Sequence, residues 1–167
     1  MPHSPGWAVE FRAEADRLTA VLGEEVVAVH HIGSTAIPSI SAKPLIDILL
    51  EVRGVERLDY LGPEMAALGY EGRSEFGLPG RRYFARSTDG RRTHQIHAYT
   101  SGNPELEWHL AFRDYMISHP DDAETYGRLK ESLAEEFPTD IEGYMEGKDA
   151  FIKEMEKQAL AWSRWRR

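Results

Sequence analysis

Residues Leu45–Val52 read Leu-Ile-Asp-Ile-Leu-Leu-Glu-Val, and this segment limits the fold more strongly than any other. Side chains alternate across a strand. Ile46, Ile48, Leu50 and Val52 therefore face a core together, and Asp47 points to the opposite face among Leu45 and Leu49. An unpaired carboxylate in such surroundings is costly. Asp47 must bind a cation or ligand, or else pair with a basic neighbour such as Lys43 or an arginine later in the chain.

The 167 residues fit one domain, or one core with a helical appendage; a chain of about 150 residues buries roughly 68–70% of its unfolded surface. The sequence contains no Cys, which removes disulfide scaffolds, thiol nucleophiles and thiolate-held zinc or iron–sulfur centres. No apolar run approaches the ~18 residues of a membrane-spanning helix, and the N-terminal residues lack the basic-then-apolar pattern of a secretory signal. The expectation is a soluble, cytoplasmic protein. A formal net charge of −8 argues against a surface that coats DNA or RNA, which needs an excess of Lys and Arg.

That charge is unevenly spread. Residues 1–72 hold 11 acids and 5 bases, and residues 93–167 hold 15 acids and 9 bases. Between them, residues 73–92 carry six arginines (Arg73, Arg81, Arg82, Arg86, Arg91 and Arg92), no lysine and two acids. Guanidinium forks bind phosphate or carboxylate bidentately. The stretch is either a ligand-binding wall or a solvated hairpin paired with acids of the same chain.

Trp7, Phe11, Ala15, Leu18 and Leu22 follow helical spacing up to Gly23. Val26–Ile32 reads as a strand ending at Gly33-Ser34, followed by a small-residue loop and the Leu45–Val52 strand. A helix is predicted from about Val55 to Leu68. Tyr83–Thr88 and Arg91–Tyr99 flank Asp89-Gly90, a pair favoured in type I′ hairpins. That register sets Arg82 opposite His97, Phe84 opposite Gln95 and Arg86 opposite Thr93, so these six share one face. Tyr83, Ala85, His94, Ile96 and Ala98 share the other. Helices are predicted over Pro104–Ser118, Asp121–Phe137 and Lys148–Trp162, with a loose basic end, Arg-Trp-Arg-Arg. Helix, β half, then helices is an α+β plan: one domain, with residues 1–100 carrying the sheet and 101–167 the helical part.

Glycine allows close backbone approach to a phosphate, and the Ser34 hydroxyl and nearby N–H groups are potential donors to its oxygens. An acid on the neighbouring strand is suited to hold a bridging Mg²⁺. The longer strings HHIGSTAIPSISAKPLIDILLEV, RRTHQIHAY, FRDYMISHPDDAETYGRLKESLA and GKDAFIKE resemble the GrpB family, which is placed in the nucleotidyltransferase superfamily. The resemblance runs from about Trp7 to Trp162. It implies a mixed β-sheet with flanking helices, a Gly-Ser loop that grips nucleotide phosphates, and strand carboxylates that hold a divalent metal, Mg²⁺ or Mn²⁺. Gly33 and Ser34 match the glycine–serine pair, and Asp47 matches the second acid of the superfamily's Asp-x-Asp motif. Leu45 stands where the first acid is expected, and His94 and His97 stand near the place of a third. Fusion of similar domains to dephospho-CoA kinases points to a link with coenzyme A metabolism.

With these implications, Asp47 and His97 are the candidate catalytic residues, and Gly33, Ser34, Lys43, Arg82, Arg86 and Arg113 the candidate ligand contacts. Asp47, His31 and His97 are the candidate metal ligands; His94 and His97, three apart, fall on opposite faces of a regular strand. Each has a plainer alternative: Ser34 as a helix cap, Lys43 as a neutralising partner of Asp47, His31 as a structural histidine, and Arg113 as a tie between helices. The leading reading is nucleotidyl transfer from a nucleotide or other phosphorylated small molecule to a small acceptor. The rivals are a non-catalytic nucleotide- or coenzyme-A-binding regulatory module and a metal-dependent hydrolase built on His31, Asp47 and His97.

Overall fold

The computed structural model describes residues 1–166; Arg167 and the Arg166 side chain, part of the basic end, lie outside the described residues. Helix α1 (Gly6–Leu22) leads into β1 (Val26–Ile32), a loop and β2 (Ile46–Val52). The helix predicted after β2 is broken into α2 (Val55–Leu58), a 3₁₀ turn (Asp59–Leu61) and α3 (Gly62–Ala67). Pro63 has no N–H to give to the turn before it, so one continuous helix cannot form. A two-residue strand β3 (Glu71–Gly72), absent from the sequence reading, precedes the hairpin of β4 (Arg81–Thr88) and β5 (Arg91–Thr100). Asp89 and Gly90 both have positive φ (53° and 76°), as a type I′ turn requires.

The helical part comprises α4 (Pro104–Ser118), α5 (Pro120–Glu136) and α6 (Ile141–Arg166). The last starts earlier than predicted. Gly143 and Gly147 weaken the helical pattern in sequence, yet Gly143 makes room for Phe137 and Gly147 lets α6 lie close to α5, where a Cβ would sit 2.6 Å from Leu133 Cδ2.

The sheet is mixed, in the order β1-β2-β5-β4-β3, with β2 and β5 parallel and the other neighbours antiparallel. Lying between two strands, β2 is fully buried on one face and partly buried on the other, where Asp47 and Glu51 keep some exposure. Ile46, Ile48, Leu50 and Val52 join Leu18, Leu22, Leu58 and Met65 in one core beneath α1–α3. On the opposite face Leu49 packs with Ile32, Tyr99 and Leu106. A third cluster fills the helical part and includes Ile37 and Ile40 from the loop between β1 and β2.

The hairpin register differs from the sequence reading. Next to the turn, Ser87 faces Arg92 and Thr88 faces Arg91 as predicted, but a bulge beside Arg86 shifts the rest by one residue. Tyr83 now faces His97, Ala85 faces Gln95, Arg86 faces His94 and Arg82 faces Ala98. A one-residue slip exchanges sheet faces. Arg82 and Arg86 therefore join the α1–α3 side, while Gln95 and His97 share the face of Asp47.

Ile37 is 2% exposed inside the helical cluster. Ile37→Ala should lower the free energy of unfolding by about 2–5 kcal/mol in urea titrations. Tyr60→Ala, at a side chain 86% exposed, should stay within about 0.5 kcal/mol of wild type.

Candidate functional site

The loop after β1 is fixed from two sides. The Thr35 side chain is buried, and its hydroxyl donates to the Leu45 carbonyl at 3.0 Å. That spends its one proton, so His31 Nε2, 2.9 Å from the same oxygen, is the donor. His31 stacks on Phe11 of α1, and burial is the main cause that lowers its pKa to about 4. Gly33 has φ +76°, and a Cβ there would lie 2.5 Å from Asp47 Oδ2. Only glycine lets the loop pass this close to the carboxylate. Beyond it, Ile37 and Ile40 insert into the helical layer.

Asp47 is half-buried, with His97 Nε2 3.5 Å from its Oδ1. Arg81 lies behind the histidine. Its Nη1 is 3.3 Å from His97 Nδ1, its Nε donates to the Glu75 carbonyl and its Nη2 to the Phe76 carbonyl. A guanidinium only donates, so His97 Nδ1 accepts and neutral His97 presents its Nε2–H to Asp47. Arg81, missed in the sequence reading, is 7% exposed and secures the orientation of His97. The bulge brings it there, and no pattern in the sequence announced it.

A cavity of about 620 Å³ opens beside Asp47, between the sheet and helices α5 and α6. Its lining includes Ser34, Lys43, Leu45, Asp47, Gln95, Lys130, Glu131, Tyr144 and Lys148. Lys130 Nζ donates to Ser34 Oγ at 2.6 Å and lies 5.3 Å from the centre of the Tyr126 ring. Burial first, then the nearby Lys148 charge, lowers the Lys130 pKa to about 8, while Asp47 opposes the shift. Burial likewise lowers Lys148, and Asp47 again opposes. Neither lysine was among the sequence candidates: each sits in a charged amphipathic helix, where solvent exposure was the default expectation.

The remaining sequence candidates fall elsewhere. Arg82 grips Asp59 with two hydrogen bonds of 2.9 and 3.2 Å. Arg86 pairs with the buried Glu14 at 2.9 Å; Glu14 also accepts from Tyr70 at 2.8 Å and from Arg17 at 3.0 Å. His94 contacts Arg86 in the same network, so it lies across the sheet from Asp47. Arg113 holds Asp114 and the His31 carbonyl, tying α4 to the end of β1. Of the predicted set, Gly33, Ser34, Lys43, Asp47 and His97 come together.

Asp47 and His97 meet, but His31 is turned toward Phe11 with its Nε2–H engaged by Thr35. Among the described residues no group of three or more His, Asp or Glu side chains is arranged to hold a metal ion. The Leu45 side chain supplies no carboxylate beside Asp47 and its carbonyl is taken by Thr35, while a hard cation needs several oxygen ligands. The residues present do not fit a resident Mg²⁺ or Mn²⁺ held by protein alone.

Residues 1–158 match the family described as GrpB protein. The chain belongs to the GrpB family. Another family member, the crystal structure of conserved protein GrpB from Enterococcus faecalis, has a TM-score of 0.91 and 44% identity, covering 99% of this chain and 98% of that one. UPF0157 protein YqkA of Bacillus subtilis is 46% identical over 160 residues; the match takes in 96% of this chain and 46% of YqkA, so the chain spans about half of that relative's length. A dephospho-CoA kinase of Mycolicibacterium paratuberculosis is 26% identical, over 98% of this chain and 46% of the kinase. The fold is also that of the nucleotidyltransferase Cid1 poly(U) polymerase, whose MgGTP-bound structure has a TM-score of 0.55 and 15% identity over 80% of this chain and 44% of that one. Among the described residues, no helix is long and apolar enough to cross a membrane.

Burial lowers the histidine pKa to about 4 in His31 and His94 and to about 3 in His109. In the unfolded chain such groups take up a proton near 6.5. Between pH 6.5 and about 4 the unfolded state thus binds more protons, and stability falls as pH falls; above 6.5 this contribution is complete. The urea midpoint should drop across that window. His109→Phe should flatten the slope by up to about 1.4 kcal/mol per pH unit.

Proposed function

We propose that this GrpB-family chain binds a nucleotide or another phosphorylated small molecule in the cavity beside Asp47, and that it transfers a nucleotidyl group to a small acceptor. The observation that carries this reading is the convergence of Ser34, Lys43, Lys130 and Lys148 on a cavity containing one half-buried carboxylate. Its volume of about 620 Å³ falls within the range of small-molecule sites. The shared fold with Cid1 supports the class of chemistry, not the substrate.

In this reading Ser34 and Lys130 hold phosphate oxygens, as their 2.6 Å contact already points both groups to one place. Asp47 takes the proton from the acceptor hydroxyl as that oxygen attacks the α-phosphorus and pyrophosphate leaves. The Nε2–H of His97, held by Arg81, keeps the carboxylate aimed. Lys43 and Lys148 offset charge developing on the leaving phosphates. No step passes through a metal, because the donor set does not make a site for one.

Leu45, in the place of a second acid and lining the cavity, favours a second reading: a binding module without turnover. Coenzyme A, with its diphosphate, is a ligand class to include because of the dephospho-CoA kinase relative. Titration with nucleoside triphosphates and coenzyme A, alongside pyrophosphate release with a panel of hydroxyl acceptors, separates these readings. We expect saturable binding, at least tenfold weaker in Lys130→Met, and pyrophosphate release that Asp47→Ala abolishes. Binding without turnover would select the module; absence of binding by every nucleotide and by coenzyme A would refute the site.

A further inference from the structure

Resting on that reading, the geometry points to a phosphate grip made by amines rather than by a metal: Lys43, Lys130 and Lys148 receive a di- or triphosphate chain that carries no divalent cation. The three amines come from three separate elements. Lys43 ends the loop between β1 and β2, Lys130 is on α5 and Lys148 is on α6, and all line the same cavity. The opposing carboxylates in the lining are Asp47 and Glu131, so the side chains leave an excess of positive charge for an anion to neutralise.

Two structural details argue that these amines are kept for a ligand. Among the described residues, Lys130 and Lys148 form no ion pair within 4.0 Å, although Asp47, which lies beside His97, and Glu131 share their cavity. Lys130 instead gives a hydrogen bond to the neutral hydroxyl of Ser34. A desolvated ammonium whose partners are a hydroxyl and the Tyr126 ring gains more from an anionic oxygen than one already paired with a carboxylate does. Burial, and after it the nearby Lys148 charge, lowers the pKa of Lys130, and an entering anion offsets both.

Asp47 has the opposite relation to such a ligand. A metal-centred site needs its negative charge; an amine-centred site is weakened by it through repulsion of the phosphates. The sign of one substitution therefore separates the two arrangements. Asp47→Asn keeps the shape next to Gly33 and removes the charge.

The test uses inorganic triphosphate as probe, by titration calorimetry on the full chain, in EDTA and again with Mg²⁺ or Mn²⁺. We expect binding in EDTA, weaker binding when a divalent ion occupies the phosphate oxygens, and loss of affinity as salt rises. Asp47→Asn should bind several-fold more tightly, while Lys130→Met and Lys148→Met should each lose roughly tenfold or more. Lys130→Arg should recover part of that loss. If a lysine variant does not fold, the EDTA and Asp47→Asn measurements decide alone. Binding that requires the divalent ion and disappears in Asp47→Asn would overturn the amine grip and leave the nucleotide site standing. So would a nucleotide that binds in EDTA while triphosphate does not. If neither probe binds under any condition, both readings fall.

Discussion

Burial of Ile37 and Ile40 in the helical layer sets the relation between the two halves of the molecule. These residues belong to the loop that starts at Gly33, so the segment that carries Ser34 also plugs the helices. Full burial of an isoleucine contributes about 1.5–3 kcal/mol. The same loop is fastened to the sheet through Thr35, which takes a hydrogen bond from His31 and gives one to Leu45. A small-residue loop, regular only in the 3₁₀ turn at Ser34–Ala36, is thus held at both ends. That anchoring, together with the packing of Leu106 against Leu49 and Tyr99 and the Arg113 tie to β1, fixes the helices that carry Lys130 and Lys148 relative to Asp47.

The two faces of the sheet dispose of charge in different ways. On the α1–α3 side, Glu14 is 3% exposed and its carboxylate is shared by Arg86, Arg17 and Tyr70. These three donors satisfy the buried carboxylate within the protein, which is what burial of a charge demands. On the other side, Arg81 and His97 approach Asp47 from behind, and its remaining surface opens to the cavity. A saturated network holds structure together, and an unsaturated one leaves capacity for a ligand. The six arginines of residues 73–92, the most conspicuous basic feature of the chain, therefore do not surround the cavity. Arg82 and Arg86 are consumed by acids of the same chain, and the cations around Asp47 are lysines, two of them on helices with many acidic residues.

The alternation of Leu45–Val52 was sufficient to place Asp47 against the grain of an apolar strand, and the Gly33-Ser34 pair marked the loop beside it. Period-2 and period-3.6 patterns likewise identified the main strands and long helices, because those patterns follow from local geometry. Gly143 and Gly147 hid the start of α6, since an intrinsic weakness in a helix does not reveal the neighbour that makes small residues useful. A single bulge put Arg82 and Arg86 on the opposite face of the sheet from Gln95 and His97. A bulge is set by how the hairpin twists and packs, and nothing in the Asp89-Gly90 turn signals it.

What the sequence by itself determined was the α+β plan, the family, and an acid that requires an answer on the face of β2 away from the α1–α3 core. These rest on covalent order and local periodicity. The tertiary structure decided which groups answer that acid. Lys130 and Lys148 lie far from Asp47 in sequence and line the same cavity only because α5 and α6 fold back over the Gly33–Lys43 loop. Arg81 reaches His97 only after the register slips. Distances between side chains on separate elements are products of packing, and packing is where this chain placed its candidate chemistry.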